Sequence, residues 1–288
     1  MKKYVRRYGF HFSITNGLTG ALEEAVKLGV NAMQIFPGNP RGWEQKPFLE
    51  KDVEEFIKKR EELDIKPVVI HMPYLPNLAS PDKTLYKRSV EILKDTMLKA
   101  EQIKAEFVNT HAGNRKDSDS TSAIKRLVDA CMEGLSQLSL KSNVMLLIEN
   151  GAGTGSEIGV RFEEIAEILS LLNDKRTGVC FDTAHAFGAG YDLRTPVAIK
   201  KTFNEFDKII GLSRLKVIHY NDSLVPLASK KDRHQHIGKG LIGKEGMNAI
   251  FNFSKFRDLP FIMETPVNDE GDDLMNLKTV KFFMSDKK

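Results

Sequence analysis

Ionisable side chains in this sequence recur at one position, the last residue of a short apolar run. The pattern is seen in PVVIH, FVNTH, VMLLIE, GVCFD, LKVIH and PFIME. Burying so many ionisable groups together is costly unless a cation pairs with them. Repetition therefore favours metal coordination over the structural role that a lone strand-end histidine usually has. The candidate ligands are His71, His111, Glu149, Asp182, His185, His219, Asp232, His234 and Glu264.

The chemistry of this ligand set indicates which metals and which reaction it suits. Five imidazoles and four carboxylates exceed what one tetrahedral zinc needs, so two or three ions are expected. Nitrogen and oxygen ligands without thiolate suit zinc, with manganese or iron as alternatives. Closely spaced ions of this kind clamp the oxygens of a phosphoryl group during in-line displacement. The expected reaction class is phosphate-ester hydrolysis.

The elements that must position these residues are repeated βα units. Short apolar runs alternate with longer amphipathic stretches, and no Gly/Ser/Pro linker divides the chain, which favours a parallel sheet. The length of 288 residues suits one α/β domain, a TIM (β/α)8 barrel spanning residues 1–288. Strands are predicted at Tyr8–Ile14, Ala32–Phe36, Pro67–His71, Phe107–His111, Val144–Asn150, Gly178–Asp182, Leu215–Tyr220 and Pro260–Glu264. Helices are predicted at Gly17–Leu28, Glu50–Leu63, Lys83–Ile103, Ser120–Ser139, Arg161–Leu172 and Pro196–Gly211, with a closing helix in MNLKTVKFFM.

The carboxyl ends of parallel barrel strands meet at one rim, where the active sites of such barrels lie. The candidate ligands lie at predicted strand ends or in the loops that follow them, so we expect them to converge there. Two loops, Met72–Asp82 and Asn221–Gly240, are longer than βα connections usually are. Both follow a strand end that carries a histidine, which favours a functional role for them.

Composition limits the class of protein and its partners. Hydrophobic residues make up 41% and charged residues 28%, which is typical of a globular enzyme. The start MKKYVRRYGF lacks the apolar stretch of a secretory signal, and no apolar run reaches membrane-spanning length. The two cysteines, Cys131 and Cys180, are too few for a disulfide framework, so an intracellular, cytoplasmic protein without a membrane partner is expected. The net charge of +4 permits a polyanionic partner but does not predict one.

Four stretches carry a specific resemblance that covers essentially the whole chain. GVCFDTAHAFGAGYDL at 178–193 and NDSLVPLASKKDRHQHIGKGLIG at 221–243 closely resemble signature stretches of the endonuclease IV family of AP endonucleases. HMPYLPNLASP from His71 and IENGAG from Ile148 are similar to that family too. The resemblance implies a xylose isomerase-like TIM barrel. It also implies a zinc-dependent enzyme of base excision repair that hydrolyses the phosphodiester 5′ to an abasic site in duplex DNA and leaves a 3′-hydroxyl. Trimming of 3′ ends is left open.

The resemblance also implies how the ligands divide among three zinc ions. His71, His111 and Glu149 would hold the first, and His185, Asp232 and His234 the third. The second would be held by Glu149, Asp182, His219 and Glu264. Glu149 and Glu264 are the catalytic candidates, because Glu149 would bridge two ions and Glu264 would orient the nucleophile that attacks phosphorus.

Candidate DNA contacts follow from the same resemblance. Arg41 in NPRGW and Tyr74 with Leu75 in HMPYL match positions that the family inserts where an abasic nucleotide is flipped out. A missing base lowers the cost of unstacking, so wedge residues can fill the gap. The alternative is that Tyr74 and Leu75 only cap the rim and that Arg41 is an ordinary surface arginine. Double-stranded DNA with abasic sites is the expected partner, and a monomer is expected because a duplex must reach the rim.

Two other readings share parts of this evidence. A sugar isomerase or epimerase of the xylose isomerase-like group would use the same barrel. Such an enzyme holds only one or two metal ions, so it would have little need for His71, His111 and the pair Asp232 and His234 together. A DNA-binding module whose metal only stabilises the rim would lack a complete bridging set. Lys230, Lys231 and Arg233 could contact phosphates, or could simply lie on a solvated loop.

Overall fold

The computed structural model describes residues 5–267, 269 and 271–285, and within them eight parallel strands close into a barrel. The barrel order is β1, β2, β3, β4, β5, β6, β7 and β10, and β10 pairs with β1. A two-stranded antiparallel ribbon, β8 with β9, lies in the loop after β7. The bounds are β1 Tyr8–Phe12, β2 Ala32–Ile35, β3 Val68–His71, β4 Phe107–His111, β5 Met145–Glu149, β6 Thr177–Asp182, β7 Leu215–His219, β8 Asp222–Ser223, β9 His234–Gln235 and β10 Phe261–Met263.

The helices surround the barrel, and local caps fix where several of them begin. Asp82 and Asp119 accept hydrogen bonds from backbone N–H groups three residues on, at Leu85 and Ser122, both at 2.8 Å. Thr195 caps the helix that begins at Pro196. The bounds are α1 Gly17–Leu28, α2 Glu50–Glu62, α3 Lys83–Gln102, α4 Ser120–Ser136, α5 Phe162–Leu172, α6 Thr183–Ala189, α7 Pro196–Ile209, α8 Gly243–Phe251 and α9 Asp272–Ser285.

Close packing of the strands depends on one glycine in β1. A Cβ atom at Gly9 would lie 1.7 Å from the carbonyl oxygen of Ala32 in the adjoining β2. No side chain fits at that distance, so only glycine allows these two strands to pair at this register.

Side chains that point into the barrel form an apolar layer and, closer to the carboxyl ends of the strands, a polar layer. The polar layer contains the candidate site. A small apolar cluster, separate from the main core, takes one residue from each of six barrel strands. Successive inward positions on a strand are two residues apart. The next inward residue of each strand, toward its carboxyl end, is therefore polar. The apolar residues are Ala32, Val69, Leu147, Cys180, Val217 and Ile262, and the polar residues two positions on are Gln34, His71, Glu149, Asp182, His219 and Glu264.

The predicted barrel is confirmed, with differences in detail. Where an element end differs from the prediction, it does so by one to three residues; Glu264, for example, follows β10 instead of ending it. The prediction missed α6, the ribbon in the loop after β7, and α8, which packs against α7 and α9. Among the described residues, no helix has both the length and the hydrophobicity needed to cross a bilayer.

Candidate metal centre

The first group of predicted ligands meets where β3, β4 and β5 end. His71 Nε2 lies 3.4 Å from Glu149 Oε2, and His111 Nε2 lies 3.8 Å from the same oxygen. Strand register explains the approach, because His111 is paired directly with Glu149 across β4 and β5. His71 and Glu149 are buried, whereas His111 is 31% exposed and borders the solvent. The structure thus brings together the three residues predicted for a first ion.

The second group lies deeper, around His219 at the end of β7. His219 Nδ1 is 3.1 Å from Glu149 Oε1 and 3.1 Å from Glu264 Oε2. Asp182 pairs with His219 in the register of β6 and β7, and its Oδ2 is 4.0 Å from the same Nδ1. One ligand atom from each of these four residues lies within 4.8 Å of the others. Glu149 belongs to both groups, as a bridging ligand would.

The third group forms beside α6. Asp232 Oδ2 lies 3.2 Å from His185 Nε2, and Asp232 Oδ1 lies 3.3 Å from His234 Nε2. Asp182 also reaches this group, since its Oδ2 is 3.6 Å from His234 Nε2. The sequence analysis assigned Asp182 to the second ion alone, whereas in the structure Asp182 lies within reach of both the second and the third group.

The loop after β7 is folded by a buried carboxylate that the sequence analysis missed. Asp222 accepts hydrogen bonds from the backbone N–H groups of Gly240 at 2.9 Å and Ile242 at 3.0 Å. The ribbon pairs Ser223 with His234, so this loop returns His234 to the rim. Asp182 holds α6 in a similar way, because its Oδ1 accepts from the backbone N–H of His185 at 2.8 Å.

Backbone carbonyl groups set the ring orientation of three histidines. Nδ1 of His71 donates to the carbonyl of Met72, that of His185 to Asn150, and that of His234 to Glu264, at 2.6–3.0 Å. A ring that donates from Nδ1 keeps the lone pair of Nε2 for a metal, which is the usual arrangement around metal-ligating histidines. In all three residues Nε2 faces a carboxylate of its group, and Nδ1 of His185 also lies 3.3 Å from Glu149 Oε1.

The donor set fits divalent cations. Within the described part of the chain, the buried Nε2 atoms of His185 and His234 have no hydrogen-bond partner. Buried polar atoms in proteins are almost always satisfied, so two such nitrogens aimed at carboxylates fit the role of cation ligands. Glu149, Asp182 and Glu264 also crowd three carboxylates around His219, an arrangement that a cation stabilises.

Neighbouring charged groups in the cluster shift the pKa values of one another. Burial disfavours ionised Glu149, yet the imidazoles of His219 and His111 hold the pKa of that carboxyl well below its usual range. Burial likewise disfavours charged His185, but the carboxylates of Asp182 and Asp232 raise its pKa well above the ordinary value. Positive charge beside these carboxylates therefore offsets the cost of burying them, and bound divalent cations can supply the same charge.

Buried amides tie the cluster together, and the sequence analysis did not single them out. Asn221 Nδ2 donates to Asp182 Oδ2 at 2.7 Å, and its Oδ1 accepts from the backbone N–H of Glu264 at 2.8 Å. Asn109 donates to Glu149 Oε2. The sequence signal that could have identified Asn109 is its position two residues before His111, where the other ligand-bearing strands carry a residue of the apolar cluster.

The predicted DNA contacts lie at the edge of the rim next to the first group. Tyr74 is 58% exposed and Leu75 is 40% exposed, and both protrude from the loop after β3. The Tyr74 ring packs edge-on against Phe36, with centroids 5.0 Å apart. The backbone N–H of Tyr74 donates to the carbonyl of Pro40 at 3.2 Å, which ties this loop to the loop that carries the exposed Arg41. The three residues therefore share one edge of the rim.

A groove of about 620 Å³ opens beside the cluster. The groove is lined by two candidate ligands, by charged residues and by three uncharged ones: His111, Asp232, Glu157, Lys231, Arg233, Thr154, Leu224 and Val225. Both basic side chains are exposed.

The chain resembles known proteins in both its sequence and its fold. The xylose isomerase-like TIM barrel family matches residues 22–280, so fold and site define a barrel of that class with a histidine and carboxylate cluster on its rim. A relative named probable endonuclease 4, from Nitrosopumilus maritimus (strain SCM1), is 39% identical over 279 residues, covering 96% of this chain and 99% of the relative. The crystal structure of endonuclease IV from Thermus thermophilus matches with a TM-score of 0.88 and 36% identity, over 97% of this chain and 99% of that one. The chain belongs to the endonuclease IV family.

Family membership confirms the resemblance read from the sequence motifs and the assignment to hydrolases of the endonuclease IV type. The fold alone would not have sufficed. A D-tagatose 3-epimerase-like protein shares it with a TM-score of 0.74 at 19% identity, covering 97% of both chains. That likeness shows only a common architecture.

Proposed function

We propose that this protein is a zinc-dependent AP endonuclease that hydrolyses the phosphodiester 5′ to an abasic site in duplex DNA, leaving a 3′-hydroxyl, in base excision repair. The observation that carries the proposal is the convergence of all nine predicted ligands into three adjoining groups on one rim, in a chain of the endonuclease IV family. Three ions per chain fit these groups, with manganese or iron as alternatives at some positions.

The residues divide the work of hydrolysis according to burial. Divalent cations bound here would supply Lewis acidity and would lower the pKa of water. Both effects favour attack of water on phosphorus. Glu149 is fully buried and holds two groups of ligands in place. Glu264 is 13% exposed, so of these two carboxylates it is the one that an entering phosphate can reach, and we assign it to orienting the attacking water. The third group lies beside the groove and is assigned to the leaving oxygen of the phosphodiester; it consists of His185, Asp232 and His234.

The DNA surface in this proposal consists of Arg41, Tyr74 and Leu75. Their shared edge lets Tyr74 and Leu75 enter the gap left by a flipped nucleotide while Arg41 contacts the adjoining duplex. Stacking of a base on an aromatic ring is worth about 1–3 kcal/mol, so Tyr74→Ala should weaken binding to abasic duplex about ten- to a hundredfold. Leu140→Ala is the matched control, because Leu140 is fully exposed and precedes β5 at the opposite end of the barrel. Equal affinity in both variants would remove Tyr74 from the DNA surface.

Several finer features belong to the same proposal. The protein acts as a monomer, as one TIM-barrel domain over residues 1–288, and inside the cell. The two thiols, Cys131 and Cys180, are unpaired and buried, which suits a reducing compartment. Trimming of 3′ ends can be tested with a duplex that ends in a 3′-phosphate.

A nicking assay tests the central proposal. The metal-loaded protein is mixed with a labelled duplex that contains one tetrahydrofuran abasic analogue, with an undamaged duplex as control. We expect a single nick on the 5′ side of the analogue, its loss after stringent chelation, and its return when Zn²⁺ is added. A metal-loaded protein that leaves the abasic strand intact but interconverts an aldose and a ketose would instead be a sugar isomerase.

A further inference from the structure

Gln34 is a fully buried amide in β2, in the run AMQI, where the neighbouring side chains are apolar. It lies in the polar layer of the barrel, two residues beyond Ala32 of the apolar cluster. Both the nitrogen and the oxygen of its side-chain amide form hydrogen bonds. Its Nε2 donates to Glu264 Oε1 and lies 2.9 Å from His11 Nδ1, and its Oε1 accepts from His219 Nε2 at 2.8 Å.

The orientation of this amide is determined by its partners. A carboxylate only accepts hydrogen bonds at neutral pH, so the NH₂ end of Gln34 must face Glu264. The carbonyl end then faces His219, and it can only accept. His219 must therefore carry a proton on Nε2.

A proton fixed on Nε2 leaves Nδ1 of His219 as the only nitrogen available to a cation. Nδ1 is the atom that lies 3.1 Å from both Glu149 Oε1 and Glu264 Oε2. This is the reverse of His71, His185 and His234, in which Nδ1 donates to a carbonyl and Nε2 faces the ligands. No backbone carbonyl fixes the tautomer of His219 within the described residues, so the task falls to Gln34.

We propose that Gln34 is a positioning residue of the second metal group: it fixes the tautomer of His219 and holds the carboxylate of Glu264, two ligands that adjoin the same ion. This inference rests on the metal centre in the proposed function. Outer partners of this kind commonly contribute ten- to a hundredfold to metal affinity. An apolar residue in this strand would satisfy packing, but it would leave His219 Nε2 and Glu264 Oε1 without their partner.

The test compares metal affinity between the wild type and Gln34→Met, a substitution of similar length without hydrogen-bonding groups. Competition with a chelator should show one ion of the set bound about ten- to a hundredfold more weakly in Gln34→Met. Thr96→Val is the control, because Thr96 is equally buried and donates to the carbonyl of Ile92 at 2.7 Å in α3. It should lose stability and keep wild-type affinity for Zn²⁺.

Nitrogen NMR of ¹⁵N-histidine-labelled, zinc-loaded wild type tests the tautomer without any variant that could fail to fold. We expect His219 to carry its proton on Nε2 and to bind zinc through Nδ1. The opposite tautomer, or wild-type zinc affinity in Gln34→Met, overturns the role of Gln34. A wild-type protein that binds no Zn²⁺ overturns the metal centre itself, and the two failures are thereby distinguished.

Discussion

Replacing Glu149 by glutamine is expected to weaken two of the three candidate metal groups together. Its Oε2 faces His71 and His111, and its Oε1 faces His219, all within 3.8 Å. Glutamine keeps the shape of the side chain and removes the charge. The perturbation therefore acts on ion binding much more than on packing.

The magnitude follows from the burial of this carboxylate, which has no exposed surface. Removing one partner of a buried charge pair costs about 3–5 kcal/mol, because the other charge stays uncompensated. At 1.36 kcal/mol per factor of ten, that corresponds to an affinity loss of about a hundredfold or more for each ion. If free zinc is held at about a hundred times the wild-type Kd, binding stabilises the fold by about 2.7 kcal/mol per site, and this falls to about 0.4 kcal/mol in the variant. The metal-dependent rise in Tm should shrink by about 5 °C per site.

Calorimetry with and without metal measures this difference directly, together with the zinc content per chain. Glu106→Gln is the matched control, because Glu106 pairs with buried Arg60, 2.6 Å away, at the other end of the barrel. That control should lower Tm equally with and without zinc. If Glu149→Gln kept the wild-type zinc content and the wild-type metal-dependent rise in Tm, the assignment of Glu149 as a bridging ligand would be wrong.

Three further predictions concern the body of the fold. Burial raises the pKa of the Cys131 thiol to about 12, so it should not react with a thiol reagent at pH 8 until the protein unfolds, and a rapid reaction in the native state would contradict its burial. Phe203→Ala should cost about 3–5 kcal/mol in denaturant unfolding, because its ring is fully buried against Phe181 and Phe256; a loss below about 1 kcal/mol would mean that this part of the core readily collapses. Gly9→Ala should prevent closure of the barrel, and a soluble variant with a native circular dichroism spectrum would show that the strands can separate there.

Much of the fold and site could be predicted from local sequence signals. Apolar runs gave all eight barrel strands and their order, because a buried parallel strand is apolar over its length whatever its neighbours are. The same runs end in an imidazole or a carboxylate, so the carboxyl ends of the strands predicted six of the nine candidate ligands. His71, His111, Glu149, Asp182 and His219 are indeed the last residues of their strands.

Tertiary structure alone decided which of these side chains lie close enough together to share a cation, and which residues hold them in place. Gln34 and Glu264 are 230 positions apart and meet only because β10 returns to β1 and closes the barrel. Asp182 reaches two groups because it caps α6, a helix of seven residues that is too short for its periodicity to be recognised. Periodicity and composition describe neighbours along the chain, whereas hydrogen bonds among Gln34, Asn221 and the ligands depend on closure, which no local pattern encodes.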